Sequence, residues 1–285
     1  MRRREDFELN YKFIEKLVNH DEIKELNVLY FDPTQSYVED RVQKGLIECI
    51  MIKRAKATIY NAQEEETFGK VAEATLTLAH GKPVIIYIPR ILENYNNEII
   101  QKIYNILDNV AFYDHVIFLE KLKKEKLITD DDFDELKSPE KEKIDVIEKL
   151  ANKFKEQLYN IDINDILKDL HDKGLQVPKD KNPIEFTKKK FIRFERTALI
   201  FKDLHPLMFQ ISPVDGVARG VFVARTVDQV AKLLKGLLIK GLNYKIEKLG
   251  NNIALFDEIT HSPIRVTPDD DAIRIALALE APKID

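Results

Sequence analysis

The chain has one cysteine, no tryptophan and nine glycines among its 285 residues. A single thiol, Cys49, excludes an intramolecular disulfide framework and a zinc site built from several cysteines, and it fits a reducing cytosol. Lying inside the apolar run "LIECIMI", Cys49 is expected to be buried and inert rather than nucleophilic. Glycine is too sparse around "GKPV" for a phosphate loop, since the spaced glycine before it and a Ser or Thr after Lys82 are both missing. No apolar run is long enough to cross a bilayer. The opening "MRRREDFELN" is charged with no apolar segment behind it, so no secretory signal is expected; the expectation is a cytoplasmic protein with no membrane partner. Positive charge is not in surplus either. Lys and Arg number 45 against 49 Asp and Glu, a net charge of −4, so nucleic acid is not expected as a partner. The basic run Lys188 to Lys190 is too short to reverse that expectation.

What remains is a globular composition, 44% hydrophobic and 33% charged, with length enough for two domains. "FELNYKFIEKLVNH" reads as a helix. "LNVLYFD" reads as a strand ending at Asp32-Pro33. "SYVEDRVQKGLIECIMIKRA" carries Val38, Val42, Leu46, Ile47, Ile50 and Met51 at helical spacing. "ATIYNA" is the next strand, and residues 67–80 are a helix with Phe68, Ala72, Leu76 and Ala79 along one face, closed by Gly81. "PVIIYIP" is apolar on both faces, as a central parallel strand would be. "NNEIIQKIYNILDN" reads as a helix and "VAFYDHVIFL" as a strand. This alternation predicts an α/β domain over residues 1–119, a doubly wound, flavodoxin- or Rossmann-like parallel sheet with right-handed crossovers.

Residues 120–183 are dense in lysine and acid with a thin apolar stripe, and read as a charged helical connector, an exposed arm. Asp130 to Asp132 suit a solvated helix start; the glycine and ligand spacing of an EF-hand loop are absent. Residues 184–285 read as a smaller α+β domain of unknown role. Its expected strands are "FIRFERTALIF", "PLMFQIS", "GVFVAR", "NYKIEKL", "IALFDEI" and "SPIRVT". Its helices are "TVDQVAKLLKGLLIKG", with a Thr226/Gln229 capping box and Gly241 at its end, and a last one opened by Thr267-Pro268, with Asp269 to Asp271 in its first turn. "DLHPL" and "THSPIR" contribute His205, His261 and Arg265; the two histidines give a weak metal signal, and structural roles are expected of them.

The stretch "EEETFGKVAEATLTLAHGKPVIIYIP" carries the chemistry. Ligands of open α/β sheets sit at the carboxyl ends of the strands, where loops lead into helices. Gly69 permits close backbone approach, a helix N-terminus favours an anionic group, and Glu73 lies one turn beyond Gly69 on the same face. Glu64, Glu65 and Glu66 read as a solvated loop edge. His80, seven residues after Glu73 and about 10 Å along the axis, reads as a C-terminal helix cap.

"ATIYNAQEEETFGKVAEATLTLAHGKPVIIYIP" resembles the nucleoside 2-deoxyribosyltransferase-like superfamily, and more distantly the TIR-type NAD nucleosidases. The matching residues are Gly69, Glu73 and Gly81-Lys82-Pro83-Val84. Lys70 stands where that pattern usually has Thr, Thr67-Phe68 where it has Asp-Ser, and a helix precedes residue 26 where a strand and loop would be. The resemblance implies that Glu73 attacks or stabilises the anomeric carbon of a ribosyl group. A fixed carboxylate suits the positive charge that builds on the sugar as an N-glycosidic bond breaks. Tyr60 or Phe68 could stack on a base and Asn61 could bond a sugar hydroxyl. Asp32 could bind a ribose hydroxyl or make a turn with Pro33. The expected ligand is a nucleoside, a nucleotide or NAD, with no cofactor and no metal, and the chain is expected to form a homo-oligomer. The competing expectation is a non-catalytic nucleotide-binding or protein-interaction module with a regulatory C-terminal domain.

Overall fold

The structure, a computed structural model, describes residues 4–33, 38–62, 68–108, 115–204, 218–219, 221–249 and 252–268. Two compact units share them: Met1–Ile88 with Leu204–Asp285, and Pro89–Asp203.

The first unit is mixed α/β. Helices α1 (Arg4–Val18) and α2 (Arg41–Arg54) precede β1 (Thr58–Asn61), and α3 (Phe68–Ala79) leads to β2 (Val84–Tyr87). β1 and β2 run parallel, with Ile59 opposite Ile85 and Asn61 opposite Tyr87. Gly81 ends α3 as expected. At φ 69° it donates its N–H to the Leu78 carbonyl (2.9 Å), and Lys82 N–H reaches the Thr77 carbonyl (3.1 Å), a Schellman turn.

Beyond β2 the chain runs through the whole second unit before returning as β3 (Ala218–Arg219) and β4 (Phe222–Ala224). β4 joins β2 in parallel, so the three-stranded sheet has the order β1-β2-β4. β2 is central and buried along its length, as an interior parallel strand must be. Alternate residues Ile59, Ile85, Tyr87, Phe222 and Ala224 face Phe13 and Leu17 of α1, together with Val230, Ala231, Leu233 and Leu234 of α10 (Val227–Lys235). Thr226 caps α10 by accepting the Gln229 N–H at 3.0 Å. The Gln229 side chain reaches back to the Arg225 N–H, one residue before the cap.

A second, antiparallel sheet of order β3-β7-β6-β5 is built from β5 (Tyr244–Leu249), β6 (Asn252–Asp257) and β7 (Pro263–Pro268). It is tied to the first where Ser262 Oγ accepts the Val223 N–H at 2.9 Å.

The second unit is helical: α4 (Glu98–Asp108), α5 (His115–Lys124), α6 (Asp130–Leu136), α7 (Lys143–Leu158), α8 (Ile163–Asp172) and α9 (Pro183–Leu199). Its centre is aromatic. Phe154 stacks on Phe191 with centroids 4.3 Å apart, and Tyr104 leans on both while donating its hydroxyl to the Ile91 carbonyl at 2.6 Å. Arg90 lies 4.9 Å over the Tyr104 ring and pairs with Asp108, which Lys202 also approaches at 3.7 Å. Burial works against the Arg90 charge, yet the Asp108 and Glu195 carboxylates hold its pKa above the ordinary value. A π-helical turn over Ile200–Leu204 carries Lys202.

Several expectations are corrected here. Residues 27–32 form no strand: Leu29 is 97% exposed, while Leu26 and Val28 pack on the core from irregular chain. An apolar run becomes a strand only where a neighbour pairs with its backbone. "HVIFL" belongs to α5, whose buried Phe118, Leu119 and Leu122 have helical spacing. "FIRFERTAL" is helical as well. Phe191, Phe194 and Ala198 recur at that period behind an Asn182 cap and Pro183.

Residues 143–158 are not part of an exposed arm, since Val146, Ile147, Leu150, Phe154 and Leu158 are buried. "GVFVAR" lies in the same unit as "ATIYNA", so the units divide the chain at 88 and 203 and not at 119 and 183. Cys49 is exposed rather than buried, because α2 turns that side away from α3 and the core. Thr267 and Pro268 end β7 rather than opening a helix, and "PLMFQIS" and Asp269 to Asp271 lie outside the described residues.

Candidate active site at the end of the parallel sheet

Phe68 and Gly69 are the first two residues of α3, so Glu73 stands one turn beyond Gly69, as the sequence spacing requires. Glu73 is half-buried, and its main-chain carbonyl accepts the Thr77 hydroxyl at 2.8 Å. Thr77 is buried and lies 2.8 Å from the Thr58 hydroxyl. A hydroxyl has one hydrogen, and that of Thr77 goes to Glu73, so Thr58 donates to Thr77. This chain of two hydroxyls fixes the middle of α3 against β1.

Lys70, three residues before Glu73, ties the beginning of the helix to the strand. Its ammonium donates to the Asn61 carbonyl at 3.2 Å and lies 5.8 Å from the centroid of the buried Tyr60 ring. The first turn of α3 carries no acidic residue. A helix N-terminus and a lysine together favour an anionic group at this end.

α1 meets the same end of the sheet. Asn61 Nδ2 donates to Asn10 Oδ1 at 3.0 Å, and Phe13, one turn along, stacks on Tyr87 with centroids 4.5 Å apart. The helix at the start of the chain therefore lies across the carboxyl ends of β1 and β2, where the resembled pattern would have a strand and loop.

The structure thus gathers Tyr60 and Asn61 with Lys70, one turn from Glu73. Asp32 is half-buried in irregular chain ahead of Pro33; without a strand over 26–31, the reason for expecting it at a strand end is gone. Phe68 and Gly69 are helical in their main chain, and Glu64, Glu65 and Glu66 lie outside the described residues. His80 sits at the end of α3, exposed, its N–H donating to the Leu76 carbonyl at 3.1 Å, which matches a cap position.

Sequence reasoning noted Lys70 only as a departure from the resembled pattern and gave Asn10 no role. A lysine three residues before the key carboxylate was the available signal for Lys70. Lys82 does not touch this site: its ammonium donates to the carbonyls of Ile52 (3.1 Å) and Lys53, closing the C-terminus of α2.

In the antiparallel sheet, Asp257 is fully buried at a turn. Its carboxylate accepts the Thr260 N–H and hydroxyl at 2.6 Å each, and the Ile259 N–H at 3.2 Å. Burial raises its pKa against the pull of those bonds. His261, exposed at φ 52°, belongs to that turn, Arg265 lies in β7 opposite Arg219, and His205 is outside the described residues.

Among the described residues, no three His, Cys, Asp or Glu side chains are grouped to hold a metal ion. No helix among them is long and apolar enough to cross a membrane. No protein-family model, curated protein or solved structure matches the chain.

Proposed function

We propose that the mixed α/β unit, read more finely as a doubly wound, flavodoxin- or Rossmann-like layer, acts at an N-glycosidic bond of a nucleoside, a nucleotide or NAD. In this reading Glu73 is the nucleophile or the anion that stabilises the oxocarbenium-like transition state, and the base leaves from the sugar it faces. Tyr60, Asn61, Phe68 and Gly69 surround the substrate, Lys70 answers a phosphate or carboxylate on it, and the protein works as a homo-oligomer. The supporting observation is the half-buried Glu73 one turn from Lys70, on a helix locked by Thr77 and Thr58 to the strand bearing Tyr60 and Asn61.

A second reading is a non-catalytic nucleotide-binding or interaction module. The observation favouring it is α1: Asn10 already engages Asn61, and Phe13 covers Tyr87.

A chromatographic product assay separates the two. Wild-type protein and Glu73→Gln are incubated with NAD, ribonucleosides, deoxynucleosides and their monophosphates. The expected outcome is free base from the wild type and a loss of about 100-fold or more in the variant, the usual effect of removing a transition-state stabiliser. Equal release by both proteins removes Glu73 from the chemistry. No release by the wild type transfers the assignment to the second reading.

A further inference from the structure

Helix α2 presents an apolar arc to solvent. Val42, Leu46 and Ile50 are 80%, 61% and 48% exposed, and Cys49 is exposed with them. At about 100° per residue these four and Lys53 share an arc of about 100°, the width of an ordinary core-facing stripe. The opposite side of the helix carries the Lys44–Glu48 ion pair, which is the less exposed of the two faces. Space is open beside the arc as well, since a Cβ added at Gly45 meets nothing within 4 Å.

We propose that this face binds the same face of a second copy of the chain, the two α2 helices antiparallel about a two-fold axis at Leu46. The helix is self-complementary in that register. Leu46 meets its own copy, Val42 meets Ile50 of the second copy, and exposed Glu39 meets exposed Lys53 of the second copy. The acidic Glu39-Asp40 end of each helix then adjoins the basic Lys53-Arg54 end of the other, and the helix dipoles run oppositely.

The area also fits. With roughly 150–200 Å² accessible on a fully exposed aliphatic residue, the exposed fractions leave about 400 Å² of apolar surface on the arc. That is the size of the largest apolar patch on an ordinary monomer, a patch that often has a function. It is also close to the apolar half of the roughly 800 Å² that each partner contributes to a stable interface. This inference does not depend on the glycosidic reading, because α2 contributes no residue to that site.

The chain's only cysteine makes the register testable. Helix axes about 9 Å apart bring the two Leu46 Cα atoms to about 4–5 Å, within disulfide reach, whereas the two Cys49 positions are offset by about 9 Å along the axis. A Leu46→Cys, Cys49→Ser variant should therefore form an intermolecular disulfide under mild oxidation. The wild type should not, yet a short bismaleimide should join its two Cys49 thiols.

In sedimentation equilibrium the wild type should be a dimer, and Leu46→Glu a monomer with an unchanged circular dichroism spectrum and a dissociation constant at least about 100-fold weaker. Glu39→Lys or Lys53→Glu alone should weaken the dimer about two- to five-fold, and the two together should restore it. A monomeric wild type, a Leu46→Glu dimer as tight as wild type, or a disulfide that forms through Cys49 but not through Leu46→Cys would each overturn the proposal.

Discussion

Asp257 and Cys49 both confound their immediate neighbours in sequence. A carboxylate is usually solvated, but Asp257 is fully buried and satisfied by Thr260 and Ile259. Burial, the largest influence, raises its pKa from the ordinary 3.8, so a proton binds the folded chain more tightly than the unfolded one. The stability due to that proton is complete below the ordinary value and is lost as pH climbs through the raised folded value. Asp257→Asn has no such proton to lose. Thermal melts from about pH 4 to about pH 7 should show the wild type losing ground steadily to the variant. A constant difference in melting temperature across that range would sink the assignment. Cys49 runs the other way: five apolar residues around it in "LIECIMI" suggest burial, yet it is exposed because its helix faces outward there. Glu73 was legible from its spacing to Gly69; its anchoring through Thr77, and Lys70 bonding Asn61, needed the helix and strand to be packed.

Helix ends were the most readable features. Gly81 closes α3, Thr226 opens α10, and α6 starts at the acidic triplet Asp130 to Asp132. Each rests on chemistry among residues close in sequence, the range over which one sequence speaks clearly. Thr226→Ala should cost about 1 kcal/mol in a denaturant titration, the usual worth of such a cap. No change in the midpoint would mean that the Gln229 side chain alone, bonding the Arg225 N–H and the Ile259 carbonyl, holds the helix start. Failures gathered in apolar segments where two periods fit. "FIRFERTAL" and "HVIFL" contain strand formers, but their buried residues follow the helical period. "LNVLYF" had the composition of a strand but pairs with no strand among the described residues.

For the chain as a whole, the unexpected feature is the crossover. A parallel pair needs a connection of a dozen residues or more, and here β2 reaches β4 through the entire unit Pro89–Asp203. Because that unit has its own aromatic centre, Phe154→Ala should cost about 3–5 kcal/mol. In native-state hydrogen exchange the loss should fall on the amides of α4, α7 and α9. Equal acceleration in β2 and β4 would show that the two units share one cooperative core.

Period, capping and composition were enough for the α/β character of the first unit, most helices, the last three strands and the candidate Glu73, because these depend on residues a few positions apart. The return of "VFVA" to the sheet of "ATIYN", the closing of a charged segment into a core, and the outward face of α2 depend on partners far apart in the chain. Such partners are selected by the surface left to cover after local structure has formed, and a single sequence carries no local mark of that choice.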